Sequence, residues 1–284
     1  MKYKVLLPTD FSDNSRNAIN YALELFANEP CDFYLMNAFS SKATVIDILL
    51  NAASGNELLY QAEKKSKKEL SKVLDKLILS KSSDFLHQFK MVSVFNNPVK
   101  AIKELIEKKD IDIVVMGTKG ETNNKGTIFG SIAVQVMEKV RNCPVIVVPL
   151  KAIKKIPKEI VFPTSFKTHY KKRELRYLID IAKKCNATIA ILHISQDKEL
   201  SKIQKENKKL LIEILEEVPI TFHFLSHFDV EPALNMFVES RNSDMVTFIN
   251  KKHAFFGSIL TKPMVKGISF HSKVPILVLH DLRN

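Results

Sequence analysis

The chain repeats itself once, with a period close to half its length. Residues 5–12 read VLLPTDFS, and residues 160–167 read IVFPTSFK. Later in each copy, CPVIVVP at 143–149 corresponds to VPILVLH at 274–280. Solenoid repeats have periods of about 20–50 residues, so a period this long indicates two whole domains in tandem.

The boundary between the copies falls in LKAIKKIPKE, residues 150–159. This segment is polar and rich in lysine, and it carries a proline ahead of the next predicted strand. A chain of 284 residues is long enough for two domains of ordinary size. We therefore predict one domain over residues 1–150 and a second over residues 151–284.

Strand and helix patterns alternate in both copies. Residues 3–8 form a short β-rich run, and Ser12 is a candidate N-cap for a helix with apolar residues on one face. Residues 111–116 form a nearly continuous apolar run, which is typical of a parallel strand buried on both faces. Further strands are predicted at 33–39, 85–95 and 145–148, and helices at 57–79, 99–109, 131–141 and, in the second copy, 202–217.

This alternation favours a parallel sheet with right-handed crossovers and helices on both sides. The predicted fold class is α/β, with two doubly wound, Rossmann-like domains in tandem. Each domain is predicted to contain a five-stranded parallel sheet with strand order 3-2-1-4-5.

Composition and the distribution of apolar residues exclude several classes of protein. No apolar run approaches the roughly 18 residues that a transmembrane helix needs, and the run at residues 5–7 is too short for a signal peptide. Three cysteines are too few for a disulfide scaffold. We expect a cytoplasmic protein with no membrane partner.

Glycine is rare in this chain and unevenly placed. Four of the seven glycines lie in residues 117–130, which read GTKGETNNKGTIFG between a predicted buried strand and a predicted helix. Such a cluster indicates backbone that adopts a positive φ or approaches another group closely. A surface loop with turn glycines is the alternative interpretation.

The predicted topology places this segment beside the end of the first strand. In open parallel sheets a ligand binds beyond the carboxyl ends of the strands, at the point where the strand order reverses. With the order 3-2-1-4-5, that point lies between the first strand, which ends at Pro8, Thr9 and Asp10, and the fourth, which ends at Met116 and Gly117.

The residue types around this point suit a nucleotide phosphate. Gly117 and Gly120 allow the main chain to pass close to a ligand. Gly130 and Ser131 open a helix whose free N–H groups and positive dipole end favour phosphate oxygens.

The sugar and the base have candidate ligands as well. The Asp10 carboxylate can accept hydrogen bonds from ribose hydroxyls, although an aspartate after a strand also commonly caps a turn. Ala38 and Met116, at strand ends, are candidates to line an adenine slot. The sequence therefore predicts a nucleotide site.

Three motifs resemble those of the universal stress proteins: PTDFS at 8–12, MG-x-x-G-x9-GS at 116–131 and CPVIVVP at 143–149. The resemblance covers essentially the whole chain, as a tandem two-domain member. It implies an ATP site in the first domain, with AMP or ADP as alternatives and Mg²⁺ held through the phosphate oxygens. The implied site residues are Pro8, Thr9, Asp10, Ala38, Met116, Gly117, Gly120, Gly130, Ser131 and Ile132.

The resemblance also implies a mode of assembly. Members of this family often dimerise through their last strands, and here residues 145–148 and 276–279 could form that pairing within one chain, as an intramolecular pseudo-dimer. A homodimer of the whole chain stays open.

The second copy departs from the motif. Ser165 replaces the aspartate, Ile249 and Lys252 replace the first two glycines, and Thr261 and Lys262 replace the Gly-Ser pair. Side chains would occupy the space that phosphates need. We therefore expect a degenerate second domain without a nucleotide.

Other candidate residues have simpler interpretations. Lys125 precedes Gly126, but the Walker pattern G-x-x-x-x-G-K-[ST] is absent, so Lys125 is interpreted as a solvated loop residue. His223 and His227 are interpreted as a surface or packed pair, because no third metal ligand is evident. No catalytic and no metal-binding residues are predicted.

Positive charge is concentrated in the second domain. Residues 151–284 carry 23 Lys and Arg against 14 Asp and Glu, within a chain of net charge +12. The lysines are spread along helices with few interleaved aromatics, so a solvated surface is favoured over a nucleic-acid site.

The sequence favours an ATP-binding, nucleotide-responsive stress regulator with a protein partner that it does not specify. No general base or carboxylate pair for a metal is evident near the glycine segment. Two alternatives stay open: an interaction module whose site is empty or binds only AMP, and a slow ATP hydrolase. Family resemblance also leaves open autophosphorylation at Ser131.

Overall fold

The computed structural model describes residues 2–39, 52–80, 86–119, 129–152, 156–197, 199–227, 229–250 and 274–280. The strands of the first half are β1 (Tyr3–Pro8), β2 (Cys31–Phe39), β3 (His87–Phe95), β4 (Ile113–Gly117) and β5 (Val145–Val148). Its helices are α1 (Asp13–Leu25), α2 (Ala52–Ser80), α3 (Pro98–Lys109) and α4 (Ser131–Lys139).

The second half follows the same alternation. Its strands are β6 (Glu159–Pro163), β7 (Thr188–Ile194), β8 (Ile220–Leu225), β9 (Met245–Asn250) and β10 (Ile276–His280). Its described helices are α5 (Lys172–Cys185), α6 (Lys202–Ile214) and α7 (Val230–Arg241).

Local capping signals set several helix ends. The Ser12 side chain accepts a hydrogen bond from the Ser15 N–H, so Ser12 is the N-cap of α1 as predicted. Asn97 caps α3, whose first residue is a proline, and α3 ends at Asp110 in the left-handed conformation. The predicted helix at 202–217 is shorter in the structure, because α6 ends at Ile214.

All ten described strands form one sheet, in the order β3-β2-β1-β4-β5-β10-β9-β6-β7-β8. Each half has the strand order 3-2-1-4-5, and pairing within each half is parallel, which confirms the predicted topology. The halves join where β5 and β10 pair antiparallel, with Ile276 opposite Val147 and Val278 opposite Val145. The internal pairing of the last strands, which the resemblance implied, is present.

Helices cover both faces of this sheet. Side chains alternate along each strand, so Val5 and Leu7 join the cluster under α1, α2, α5 and α6, while Leu6 joins the cluster under α3, α4 and α7. Both clusters continue from one half into the other. The hydrophobic core is therefore two layers that share one sheet.

A lysine of the second half packs against the first half on one of these faces. The Lys184 ammonium lies 3.7 Å from the ring centroid of Tyr3, 4.2 Å from that of Phe26 and 3.9 Å from the Glu29 carboxylate. Burial lowers the pKa of Lys184, although Glu29 opposes this effect. The contact helps to hold the two halves together.

The turn after the first strand is built in the same way in both halves. Phe11 and Phe166 adopt left-handed backbone, with φ of 68° and 55°. In each case the N–H donates a 3.0 Å hydrogen bond to the threonine hydroxyl two residues earlier, Thr9 or Thr164. This turn belongs to the fold rather than to the glycine segment, because the second half retains it.

Among the described helices, none combines the length and the hydropathy required to cross a lipid bilayer.

Candidate functional site

A cavity of about 280 Å³ opens where β1 and β4 end, at the reversal point of the first half's strand order. Its walls come from the ends of β1, β2 and β4 and from the first turns of α3 and α4. The lining residues are Pro8, Thr9, Asp10, Ser15, Met36, Ala38, Pro98, Ile102, Met116, Gly117, Thr118, Lys119, Gly130, Ser131, Ile132 and Ala133.

The structure brings together nine of the ten residues that the sequence assigned to the site. The tenth, Gly120, lies outside the described residues, as does Lys125. The long separation in sequence between residues 8–10 and residues 116–132 is thus closed by the parallel pairing of β1 with β4.

Buried hydrogen bonds hold the end of β1 in place. The Thr9 N–H donates to the Met36 carbonyl (2.8 Å), and the Asn37 side-chain amide donates to the Thr9 carbonyl (2.7 Å). Asn37 in turn accepts a hydrogen bond from the buried Ser66 hydroxyl of α2 (2.8 Å). The backbone that carries Asp10 is therefore fixed by side chains of neighbouring elements.

Asp10 caps its own turn and also lines the cavity. Its Oδ1 accepts hydrogen bonds from the Ser12 N–H (3.2 Å) and the Ser12 hydroxyl (2.6 Å). The capping role considered from the sequence is therefore present. It coexists with a position on the cavity wall.

The two ends of the glycine segment meet at its base. The Gly130 N–H donates to the Thr118 carbonyl (2.7 Å), and the Thr118 N–H donates to the Val148 carbonyl at the end of β5 (3.1 Å). The segment therefore starts and finishes at the cavity rim.

Gly117 has a packing reason that the sequence did not reveal. A Cβ at this position would lie 2.9 Å from Cγ and from one terminal amide atom of Asn14, and 3.1 Å from the Asn14 backbone carbonyl carbon. Its φ is not positive, so the glycine is needed for space rather than for an unusual backbone. That space is occupied by α1.

The start of α4 presents backbone donors at the cavity. Gly130 is the N-cap, has an extended backbone (φ −73°, ψ 156°) and provides no side-chain cap. The first turn carries no acidic residue. The uncapped N–H groups and the positive end of the helix dipole are suited to an anion.

The opposite wall is apolar. Met36, Met116, Ile102 and Ala133 belong to the buried core under α3 and α4, and Pro98 begins α3. A wall of this kind accepts a flat apolar ring through dispersion and loss of hydrated surface.

Several lining residues were missed from the sequence. Met36 lies two residues before Ala38 on the same face of β2, and Pro98 and Ile102 lie one turn apart on α3. The strand and helix periodicities indicate which apolar residues share a buried face. Only the packing of α3 on the sheet shows which of them reach the cavity.

Charge at the described cavity wall comes from two groups of opposite sign. Asp10 is on the β1 side, and Lys119, also missed from the sequence, follows β4. A ligand with hydroxyls at one end and anionic oxygens at the other would meet complementary groups.

No reactive thiol lies in the described part of the chain. Cys31, Cys143 and Cys185 are buried and form no disulfide. Burial raises the pKa of all three thiols, to about 12 for Cys31 and about 11 for Cys185. Thiolate chemistry at neutral pH is therefore disfavoured.

His223, in β8, and His227, which follows that strand, use their ring nitrogens locally. His223 Nε2 lies 2.9 Å from the Thr221 hydroxyl, and His227 Nδ1 lies 2.9 Å from the Asp229 nitrogen. No cluster of three metal-ligating side chains occurs among the described residues.

Comparison with known proteins decides the family. A model of the universal stress protein family matches residues 1–149, more than half of the chain. The chain belongs to the universal stress protein family. It is 28% identical over 158 residues to universal stress protein MJ0577 of Methanocaldococcus jannaschii, across 53% of this chain and 97% of that protein. It is 30% identical over 149 residues to universal stress protein MJ0531 of the same organism, across 51% and 81% of the two chains.

A solved universal stress protein from Archaeoglobus fulgidus shares the fold of both halves. The two structures have a TM-score of 0.68 at 18% sequence identity, and the match covers 97% of this chain and 95% of that chain. The arrangement of two α/β halves is therefore that of a known universal stress protein fold.

In this universal stress protein, the second half repeats the strand order but changes the residues at the corresponding place. Strand register puts larger side chains where the first half has Gly117, Met116 and Ala38, namely Ile249, Phe248 and Ile194. Ser165, in place of Asp10, accepts a hydrogen bond from the Lys167 N–H (3.3 Å). The remaining replacements, Lys252, Thr261 and Lys262, lie outside the described residues.

Proposed function

We propose that this universal stress protein is a cytoplasmic, nucleotide-responsive regulator that binds ATP in the cavity of its first half. One observation carries the proposal. A single cavity at the reversal point of the sheet combines an apolar wall, a carboxylate and the uncapped start of a helix. The three buried, unpaired cysteines suit a reducing compartment.

The phosphates are assigned to the rim formed by the start of α4 and the end of β4. Gly130, Ser131 and Ile132 contribute the first helical turn, whose backbone donors favour anionic oxygens. Lys119 adds a positive charge on the same rim. Mg²⁺ would be held chiefly by the phosphates themselves, since Asp10 is the carboxylate among the described lining residues.

The ribose and the adenine are assigned to the other side. The Asp10 carboxylate is placed to accept a hydrogen bond from a sugar hydroxyl, and Ala38 and Met116 flank the apolar wall at the ends of β2 and β4. This arrangement supports the assignment of the adenosine end to the β1 and β2 side of the cavity.

The second half, residues 151–284, is assigned no nucleotide. Ile249 and Phe248 occupy the strand positions that are glycine and methionine in the nucleotide-binding half, residues 1–150.

The direct test is to identify the nucleotide that co-purifies with the protein. Denaturation of the purified full chain followed by chromatography should release ATP. Release of AMP alone, or of no nucleotide together with no calorimetric binding of added ATP, would instead support the interaction module. Sustained phosphate release that disappears in the site variants would support the slow hydrolase.

Calorimetry on matched variants tests the site itself. Asp10→Ala should weaken ATP binding by roughly ten- to a hundredfold, the usual effect of losing a hydrogen bond to a charged group. Gly130→Val should also weaken it, because a branched side chain would enter the cavity at a backbone angle that any residue can adopt. Asp13→Ala is the control, since its side chain is 77% exposed and pairs with Arg16 away from the cavity. Unchanged ATP affinity in Asp10→Ala and Gly130→Val would contradict the assignment.

A further inference from the structure

Asn14, in the first turn of α1, is a buried side chain that contacts the base of the glycine segment. It is 6% exposed. In the amide orientation that satisfies both of its ends, Oδ1 accepts from the Lys119 N–H (2.8 Å) and the Thr118 hydroxyl (2.9 Å), while Nδ2 donates to the Val148 carbonyl (3.0 Å). One side chain therefore joins α1, the residues after β4 and the end of β5.

These hydrogen bonds help to hold the two ends of the glycine segment together at its base. The Gly130 N–H donates to the Thr118 carbonyl, and Asn14 accepts a hydrogen bond from the Lys119 N–H of that same peptide group. Both ends of the segment between Thr118 and Gly130 are thereby held before a ligand arrives. Holding them in advance lowers the ordering cost that a ligand would otherwise have to offset.

Asn14 and Gly117 depend on each other. Any Cβ at Gly117 would lie 2.9 Å from the Asn14 side chain, so the glycine provides the room that the asparagine uses. In the second half both members change together. Ile249 takes the register position of Gly117, and the residue at the position of Asn14 in the repeated motif is His169, which precedes α5 instead of lying within it.

This paired change shows that the fold does not require an asparagine and a glycine at these two positions. The second half forms the same strand order and the same left-handed turn with other residues there. The contact is found in the half that carries the glycine segment and the cavity. The location of this contact therefore indicates a role in ligand binding rather than in the folding of an α/β half.

We propose that Asn14 is a positioning residue for the phosphate end of the site. It fixes the Thr118–Lys119 peptide group, and with it the backbone that carries the cavity-lining residue Lys119, without lining the cavity itself. The proposal rests on the proposed function. It predicts that Asn14 matters for ATP but not for adenosine, because adenosine has no phosphate to meet the positively charged Lys119 at the cavity rim.

The test compares ATP with adenosine by calorimetry on the full chain. Asn14→Ala should lower the affinity for ATP by roughly three- to tenfold, the effect of losing a buried neutral hydrogen bond, and should leave the affinity for adenosine unchanged. Asn17→Ala is the matched control. Asn17 lies one turn further along α1 and donates to the Pro149 carbonyl (2.9 Å), away from the segment. This variant should change neither affinity.

The outcomes separate the two proposals. Wild-type protein that binds neither ATP nor adenosine would overturn the proposed function and this role together. Wild-type protein that binds ATP, with an unchanged ratio of ATP to adenosine affinity in Asn14→Ala, would overturn the role of Asn14 alone. A purely structural role would lower the melting temperature without changing that ratio.

A measurement on the wild-type protein covers the case in which Asn14→Ala does not fold. Hydrogen exchange followed by NMR should show a protected Lys119 amide in the absence of nucleotide, because this N–H donates to a buried side chain. Exchange at the rate of an unprotected amide would overturn the proposal.

Discussion

Substitution of Gly117 by alanine should destabilise the protein, because the new Cβ would overlap with the Asn14 side chain. The new Cβ would lie 2.9 Å from Cγ of Asn14 and 2.9 Å from the amide atom that faces the Val148 carbonyl, closer than packed atoms approach. Overpacking of this kind costs about 1–3 kcal/mol, and displacing the Asn14 amide would add about 0.5–1.5 kcal/mol for each hydrogen bond lost. We expect a loss of about 2–4 kcal/mol in the free energy of unfolding.

A double-mutant cycle measured by chemical denaturation tests the cause. Asn14→Ala removes the two nearest atoms that the new Cβ would meet, and of the three nearest it leaves the backbone carbon at 3.1 Å. Gly117→Ala should therefore cost at least about 1 kcal/mol less in the Asn14→Ala background than in the wild type, since contacting residues are not additive. Equal costs in the two backgrounds, or a Gly117→Ala variant as stable as the wild type, would refute the reasoning.

Three further predictions concern stability away from the cavity. Lys184→Ala should lower the free energy of unfolding, measured with denaturant, by about 1–2 kcal/mol, because it removes the ammonium that packs on two aromatic rings of the first half. The control Lys183→Ala, which removes an exposed ion pair, should show no measurable change. Burial and nearby Arg141 lower the pKa of His280 from its ordinary value of 6.5 to about 3. As the pH falls from 6.5 towards 3, the unfolded chain binds a proton at His280 that the folded protein does not. The free energy of unfolding of the wild type should therefore fall by up to about 1.4 kcal/mol per pH unit more than that of His280→Phe. Parallel pH profiles of the two proteins would contradict this. Burial of Glu159 would raise the pKa of its carboxyl, but hydrogen bonds from Arg241 and Ser243 outweigh it and hold the pKa below its usual value. Glu159→Gln should therefore be less stable than the wild type at neutral pH, and thermal melts in acid should show that difference disappearing as the pH drops through the folded-state pKa.

Much of the fold could be predicted because its signals are local. The apolar runs of β1 and β5 gave their bounds, and the polar residue Ser12 marked the start of α1. The boundaries that moved, such as the end of α6 at Ile214, lie where a polar helix end gives no strong stop signal.

The candidate site was predicted in outline and incompletely in detail. The glycine spacing and the aspartate after β1 predicted residues on two sides of one crevice, and in the structure both groups line the same cavity. Met36, Ile102 and Lys119 were missed, because nothing in a single sequence states which face of α3 or β2 meets the end of β4.

By itself, the sequence determined the repeat, the alternation of strands and helices and the loss of the glycine motif in the second half. These properties depend on periodicity and on spacing within short segments. Only the tertiary structure decided that β5 and β10 join the halves into one sheet, and that Asn14 occupies the space left by Gly117. Both are contacts between residues more than a hundred positions apart, and such pairs are selected by packing and by the pairing of buried polar groups, not by local preference.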